Sequence, residues 1–317
     1  MIKTAPLQIN KKTITIGLPK AMMYYEHGML WEDFFKLLGL NVVVSEDTNK
    51  EILDLGVKYC SNETCLPVKV LHGHVLNLKD KADYIFIPRY KTTDKQEFTC
   101  PKLCGLPDIA RLNLKNDIKI LEVMIDEKKG MENTIKSLKD MASTLNIEYK
   151  KVLSAYYEAI KKRLNFNIKI SQIESDLKKN ENKPVIVVLG HPYMIYDNYI
   201  SMKLIKKLID KEYNVLTPEN LDNEVKRNNA YPYKGRYFYR AGFDNLGSAF
   251  TYADNPDLKG IIYLTPFACG IDSLVIEFIE IRLKSNYKIP WMKLTVDEHT
   301  GEAGFDTRLE AFLDMIG

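Results

Sequence analysis

Hydrophobic positions along this chain alternate between two rhythms. Short apolar runs such as "TITIGL" (13–18), "NVVVS" (41–45) and "DYIFIP" (83–88) read as strands. Between them, "GMLWEDFFKLLG" (28–39), "NKEILDLGVKY" (49–59) and "LPVKVLHGHVLNL" (66–78) carry apolar residues at helical spacing. One more run, "IKILEVMI" (118–125), predicts a further strand. Strands separated by helices at this interval imply βαβ units and a parallel sheet.

The rhythm then breaks. From Glu127 to about Asn182 no strand pattern occurs, and the segment predicts helix almost throughout. Its Lys- and Glu-rich faces read as solvated helix surface, and the segment as a connector packing across both halves. Alternation resumes with strand "KPVIVVLG" (183–190), helix 199–211, strand "YNVLTP" (213–218) and a helix over 240–254. Strand "GIIYLTPF" (260–267), helix 271–285, strand "PWMKLTV" (290–296) and helix 306–316 complete the pattern. In the last helix Leu309, Phe312, Leu313 and Ile316 recur as a core-facing stripe requires. The reading is an α/β protein of three parts: an N-terminal lobe (1–126), a helical connector (127–182) and a C-terminal lobe (183–317). In such pairs, ligands sit at the carboxyl ends of the strands and in the cleft between lobes.

Composition narrows the possibilities. A net charge of only +3 gives no clustered basic excess, so no nucleic-acid partner is expected. The N-terminal stretch "MIKTAPLQINKKTITIGLPK" lacks the apolar core of a signal peptide. No apolar run approaches the roughly 18 residues of a membrane span. A cytoplasmic protein without a membrane partner is therefore expected. Stable disulfides are rare there, and five cysteines, an odd number, fit a disulfide framework poorly.

The cysteines fall at suggestive places. Cys65 directly precedes the helix "LPVKVLHGHV", Cys100 opens "CPKLCGLPD" after a strand and loop, and Cys269 opens "CGIDS" after strand 260–267. A helix N-terminus offers free N–H groups and a positive dipole end, which stabilise thiolates and anionic clusters. A single cysteine is ordinarily a small buried hydrophobe, but three at equivalent ends of two lobes point to a shared metal site. Cys60 and Cys65 have four residues between them, and Cys100 and Cys104 three, so zinc stays open. Ligands scattered over both lobes suit an iron–sulfur cluster at a domain interface better. No C-x-x-C redox motif is present.

Histidines and carboxylates add candidates. His72 and His74, two apart, face different ways on a helix, and "HGH" reads as close helix approach at Gly73. His191 in "LGHPYMIYD" and His299 in "DEHTGEAG" each follow a strand and are candidates for substrate contact or proton transfer. Glu63, His191, Asp272 and Glu277 are candidate proton-handling or cluster-supporting residues. The ordinary reading of the carboxylates is a cap or a solvated face, and Asp272 and Ser273 suit N-terminal capping.

Six motifs together, "GLPKAMMYY", "CSNETCLPVKVLHGHV", "CPKLCGLPD", "LGHPYMIYD", "PFACGIDSLVIE" and "DEHTGEAGFDTRLEAF", resemble a family of uncharacterised, activase-related proteins. That family is related to the 2-hydroxyacyl-CoA dehydratases and benzoyl-CoA reductases, and the resemblance covers nearly the whole chain. It implies two Rossmann-like (flavodoxin-like) lobes with parallel sheets and a cysteine-held 4Fe–4S cluster in the interlobe cleft. It also implies an ATP-hydrolysing activator protein as electron donor, and reductive chemistry on a small, possibly CoA-thioester, substrate. By motif, Cys65, Cys100 and Cys269 are the ligands, Cys60 is the choice for a fourth and Cys104 a possible alternative. His191 and Glu63 are the catalytic candidates.

Two departures from the family pattern bear on this. The dehydratases proper are heterodimers with an open iron, which a fourth cysteine here would close in favour of electron transfer. A double-cubane 8Fe–9S cluster needs about six thiolates by counting three per cubane, and five cysteines are present. A homodimer sharing ligands would supply the rest. No phosphate-binding P-loop pattern occurs, so ATP hydrolysis would belong to a partner. The contrasting expectation is a non-catalytic scaffold stapled by zinc or a structural cluster.

Overall fold

The computed structural model describes residues 13–94, 97–114, 117–177, 183–230 and 239–317. The N-terminal stretch 1–12 and the helix expected over 178–182 lie outside the described residues. The first lobe opens with β1 (Thr15–Leu18), α1 (Tyr24–Leu37), β2 (Asn41–Val44), α2 (Lys50–Lys58), α3 (Leu66–Leu78) and β3 (Tyr84–Phe86). It continues through β4 (Arg89–Asp94), β5 (Glu97–Phe98), α4 (Pro101–Cys104), α5 (Leu106–Asn113), β6 (Ile120–Leu121), β7 (Met124–Asp126) and β8 (Lys128–Met131). Two helices come next, α6 (Glu132–Leu145) and α7 (Tyr149–Leu177). The second lobe begins with β9 (Val185–Gly190), α8 (Pro192–Ile195), α9 (Leu204–Asp210), β10 (Asn214–Leu216) and α10 (Asn223–Ala230). It ends with α11 (Arg240–Tyr252), β11 (Leu258–Pro266), α12 (Gly270–Asn286), β12 (Trp291–Val296) and α13 (Glu302–Ile316).

Each lobe holds a four-stranded parallel sheet, ordered β2-β1-β3-β6 in the first and β10-β9-β11-β12 in the second. Within each lobe this is the order second-first-third-fourth, that of a flavodoxin-like half. The α/β architecture expected from the alternating pattern is what the chain adopts. The central strand β9, "VIVVLG", is buried along its whole length, as a parallel strand covered on both faces must be. One apolar core runs from the first sheet through α6 and α7 to the inner face of the second sheet. A smaller core fills the outer face under α11 and α12. No helix among the described residues is long and apolar enough to cross a membrane.

Three expectations need correcting. The run 118–125 is two strands: β6 joins the first sheet, while β7 pairs with β4 in a small sheet ordered β5-β4-β7. The two chain segments nonetheless stay side by side, with Ile87 and Arg89 donating their N–H groups to the Leu121 and Val123 carbonyls. Strand β8 lies where only helix was expected, since "KKGM" has no apolar alternation and is extended by its neighbours β4 and β7. The helix expected over 199–211 begins only at Leu204. Asp197 accepts the N–H groups of Tyr199 and Ile200, and Met202 and Lys203 take left-handed backbone angles, so the preceding turns are not α-helical.

Helix α3 anchors the first lobe. It is buried on nearly every side, and it lies against α2 so closely that backbones touch. A Cβ at Gly73 would stand 1.9 Å from the Ile52 carbonyl oxygen, and one at Gly56 would stand 1.8 Å from that of Lys69. The close approach expected of "HGH" is real. Both its histidines are satisfied structural groups: His72 donates to the Val68 carbonyl and accepts from Asn113, while His74 sits between Ser45 and Thr48.

Buried polar contacts join the lobes. Lys69 of α3 pairs with Glu298 beyond β12. Thr48, on the first lobe, bonds both His74 and Asp197 of the second. Burial, aided by Lys20 and opposed by Asp47, pushes His74 from its ordinary 6.5 down to about 4.

Two substitutions test this packing. Gly73→Ala is expected to destabilise the chain by about 3 kcal/mol or more in urea unfolding, because backbone cannot yield as a side chain can. Gly304→Ala, with open space around it at an exposed position of α13, is expected to leave stability unchanged or raise it slightly. Equal effects of the two would contradict the close helix contact. His74 takes up its proton near pH 6.5 when unfolded and near 4 when folded. Between those values the unfolded state binds more protons, so stability falls as pH falls, by about 3 kcal/mol from this group. His74→Gln is expected to flatten that part of the stability–pH curve; an unchanged slope would count against it.

Candidate metal centre

Four chain segments begin helices at one place between the lobes. Cys65, Cys100, His191 and Cys269 are the N-cap residues of α3, α4, α8 and α12, and none spends its side chain on a capping bond. Proline in the first turn starts three of these helices, where its missing N–H costs nothing. His191 follows β9 and Cys269 follows β11, adjacent parallel strands whose helices leave in opposite directions. That is the crevice where open α/β sheets bind ligands.

The backbone is shaped to this end. Gly190 has φ +145°, and a Cβ there would meet the Leu264 carbonyl oxygen at 2.4 Å, so only glycine can hand the chain from β9 to His191. Asn245 accepts the Gly190 N–H at 2.8 Å and fixes the turn. Ala268, at φ 64°, turns the chain just before Cys269.

His191, Cys269 and Asp272 form a tight group whose potential ligand atoms all lie within 4.8 Å of one another. Asp272 is not a cap, and neither is Ser273, whose hydroxyl donates to the Cys269 carbonyl one turn back. The Asp272 carboxylate instead turns inward and accepts from Tyr263 Oη at 2.9 Å and Thr265 Oγ1 at 2.7 Å. Nε2 of His191 stands 3.3 Å from Asp272 Oδ1, and the Cys269 thiol is the imidazole's other polar neighbour. The Tyr193 ring stacks on the imidazole, 4.8 Å between centroids.

Electrostatics make this an ion pair. Burial alone would strip His191 of its proton, but Asp272 and then Cys269 outweigh it and hold its pKa well above 6.5. Burial disfavours the Asp272 charge, yet His191, Thr265 and Tyr263 bring its carboxyl below the ordinary range.

The thiols share this neighbourhood. Burial pushes the Cys65 thiol up, Lys102 pulls it down, and Cys269 and Cys100 add to the rise. The same three thiols act on the Tyr193 phenol, which burial pushes well above 10, with Cys269, Asp272, Cys65 and Cys100 adding to the rise. Cys60 stands aside: half-buried, with Asn113 Nδ2 at 3.9 Å from its sulfur, its thiol is pushed by burial to about 11. Lys69 opposes that rise, and Cys65 is near enough to add to it. Cys104 lies one turn into α4, with its N–H on the Cys100 carbonyl and its own carbonyl on Arg89. Glu63, Glu277 and His299 stand outside the group of His191, Cys269 and Asp272.

Sequence reasoning passed over Tyr193, Tyr263 and Thr265. They sit within runs read as a turn and a strand, and nothing in the linear pattern marks them. The spacing of Asp272, three residues after Cys269 on a helix, was the available signal, since it puts both on one face.

A cavity of about 620 Å³ opens beside the group, with Cys100, His191 and Tyr193 in its wall together with His27, Arg163 and Arg240. No curated protein matches the chain. Residues 15–221 match the family described as CoA enzyme activase uncharacterised domain, a span that includes Cys65, Cys100 and His191 but not Cys269 or Asp272. By that match over most of its length, the chain belongs to the CoA enzyme activase uncharacterised domain family.

Proposed function

We propose that the chain is an iron–sulfur protein related to the 2-hydroxyacyl-CoA dehydratases, with a 4Fe–4S cluster held by Cys65, Cys100 and Cys269 between the lobes. What supports this is that three uncapped thiols at three helix starts all lie near enough to act on the Tyr193 phenol, beside the buried His191–Asp272 pair. Thiolates are the ligands such clusters take, and a buried imidazole held beside a sulfur by a carboxylate suits the support such ligands need. Cys60 is the candidate fourth ligand. Five cysteines favour the single cubane over a double-cubane cluster.

When bound, the cluster would carry a low-potential electron toward a small substrate, a CoA thioester among the candidates. An ATP-hydrolysing activator protein would supply that electron, since the chain shows no P-loop pattern of its own. The chain's own residues handle the proton. Asp272 keeps His191 protonated and oriented, Tyr193 covers one face of its ring, and burial keeps that proton beside the Cys269 sulfur. His191 is thus the residue placed to hold or deliver a proton in the cavity.

A second reading has its own support. His191, Cys269 and Asp272 offer nitrogen, sulfur and oxygen donors within 4.8 Å, a mixed set that zinc accepts. In that case the metal would be held by the second lobe, tying α12 to the end of β9, and the protein would be a non-catalytic scaffold.

Purification without oxygen separates the readings. The proposed function predicts a brown protein with stoichiometric iron and sulfide. Cys65→Ser, Cys100→Ser and Cys269→Ser are each expected to lose most of the iron, and Cys104→Ser to keep it. Cys60→Ser is expected to keep iron but change its electron paramagnetic resonance spectrum, as loss of one of four ligands would. Colourless protein with one zinc and no iron would sink the iron–sulfur reading.

A further inference from the structure

The cavity beside the thiols has a second wall that the metal centre does not use. His27, from α1, stacks on Tyr90 with 4.8 Å between ring centroids. Its Nε2 is buried in the wall and has no hydrogen-bond partner among the described residues. A buried polar atom left unpaired costs about 1–3 kcal/mol, so a missing partner is implied. Two guanidiniums frame this ring from different parts of the fold. Arg163 reaches in from α7, anchored at 2.9 Å on the Glu26 backbone carbonyl. Arg240 reaches in from the second lobe, where the preceding residue, Tyr239, bridges by backbone to Phe98 of the first.

We propose that this wall receives the negative group of a small organic carboxylate, set between Arg163 and Arg240 with one oxygen on Nε2 of His27. This deepens the proposed function by naming the class of substrate for the same cavity, and it rests on that reading only in taking the cavity as the substrate's.

Charge supports the choice. Burial, then Arg240 and Arg163, push His27 down to about 3, so the imidazole is neutral and offers a hydrogen bond without adding charge. Acids stand nearby as well. Glu26, whose Oε2 stands 4.0 Å from His27 Nε2 and beyond hydrogen-bond reach, is pushed up by burial, although Arg240 opposes this. Glu219, which accepts from Tyr196, is pushed up likewise. Asp244 is shared by Arg240 at 3.3 Å and Lys226 at 3.1 Å. Both guanidiniums keep their charge where burial works against that of Glu26 and Glu219.

Shape decides between anions. Tyr25, Phe98, Tyr196 and Tyr239 line the cavity, so an organic body fits better than inorganic phosphate. Its volume of about 620 Å³ lies in the range of small-molecule pockets. A neutral thioester carbonyl would bring no negative charge to set against the guanidiniums.

Titration calorimetry on metal-free protein tests this, with acetate, butyrate and hexanoate each set against its primary amide, and with phosphate. At least one acid is expected to bind about tenfold or more tightly than its amide, a difference of about 1.4 kcal/mol. Arg240→Gln is expected to weaken that acid about tenfold or more, with Arg240→Lys recovering part of the loss. The His27 ring signals should shift on binding in nuclear magnetic resonance spectra, which also show that each variant is folded. Acid and amide binding alike would overturn the proposal. So would preference for phosphate, indifference to Arg240→Gln and Arg163→Gln, or no acid binding with a Kd below about 10 mM, that is, about −2.7 kcal/mol. Iron takes no part, so failure here leaves the cluster reading standing, and a protein without iron leaves this test intact.

Discussion

A single buried carboxylate organises the second lobe. Removing Asp272 from water would cost several kcal/mol if it stood alone. Two hydroxyls on β11 and the protonated ring of His191 offset that cost. Satisfying Asp272 therefore fixes α12 against β11 and draws His191 in from β9. Cys269, one turn above Asp272, is carried to the same place. The order 2-1-3-4 of the sheet puts β9 and β11 side by side, so this meeting happens at the crevice where the helices part.

The first lobe supplies the other thiols by tighter packing rather than by charge. Backbone contact at Gly56 and Gly73 fixes α3 on α2 and so fixes where Cys65 stands. Lys69, four residues along the same helix, is held by Glu298 of the second lobe. Thr48 and Asp197 make a second tie. These buried polar contacts set the lobes in register, and the thiols share a neighbourhood only because of it. A continuous apolar core across the interface supplies the bulk of the adhesion, while the polar ties select one arrangement.

Much of this was legible in the chain, and the exceptions have physical causes. Buried parallel strands such as β9 and β11 read as unbroken apolar runs, and were found where expected. Strand β8, polar and lying beside β4 and β7, carries no such signature. Cysteines before "LP", "P" and "G" announced helix starts correctly. A shared site for them was expected from their equivalent places in two lobes, but the contacts that set the lobes together were not readable, because Lys69, Glu298, Thr48 and Asp197 look like surface residues in sequence. Asp272 resembled a cap because it lies in a first helical turn; strand hydroxyls facing it decided otherwise. Arg163 sat in a helix whose charged faces looked solvated, yet it lines the cavity.

Anomalous X-ray diffraction from crystals grown without oxygen tests the central claim most directly. Data at the iron edge should show a strong peak bounded by the sulfurs of Cys65, Cys100 and Cys269, with His191 next to it. A peak only at the zinc edge, among His191, Cys269 and Asp272, would contradict the account, as would thiols that bind no metal at all.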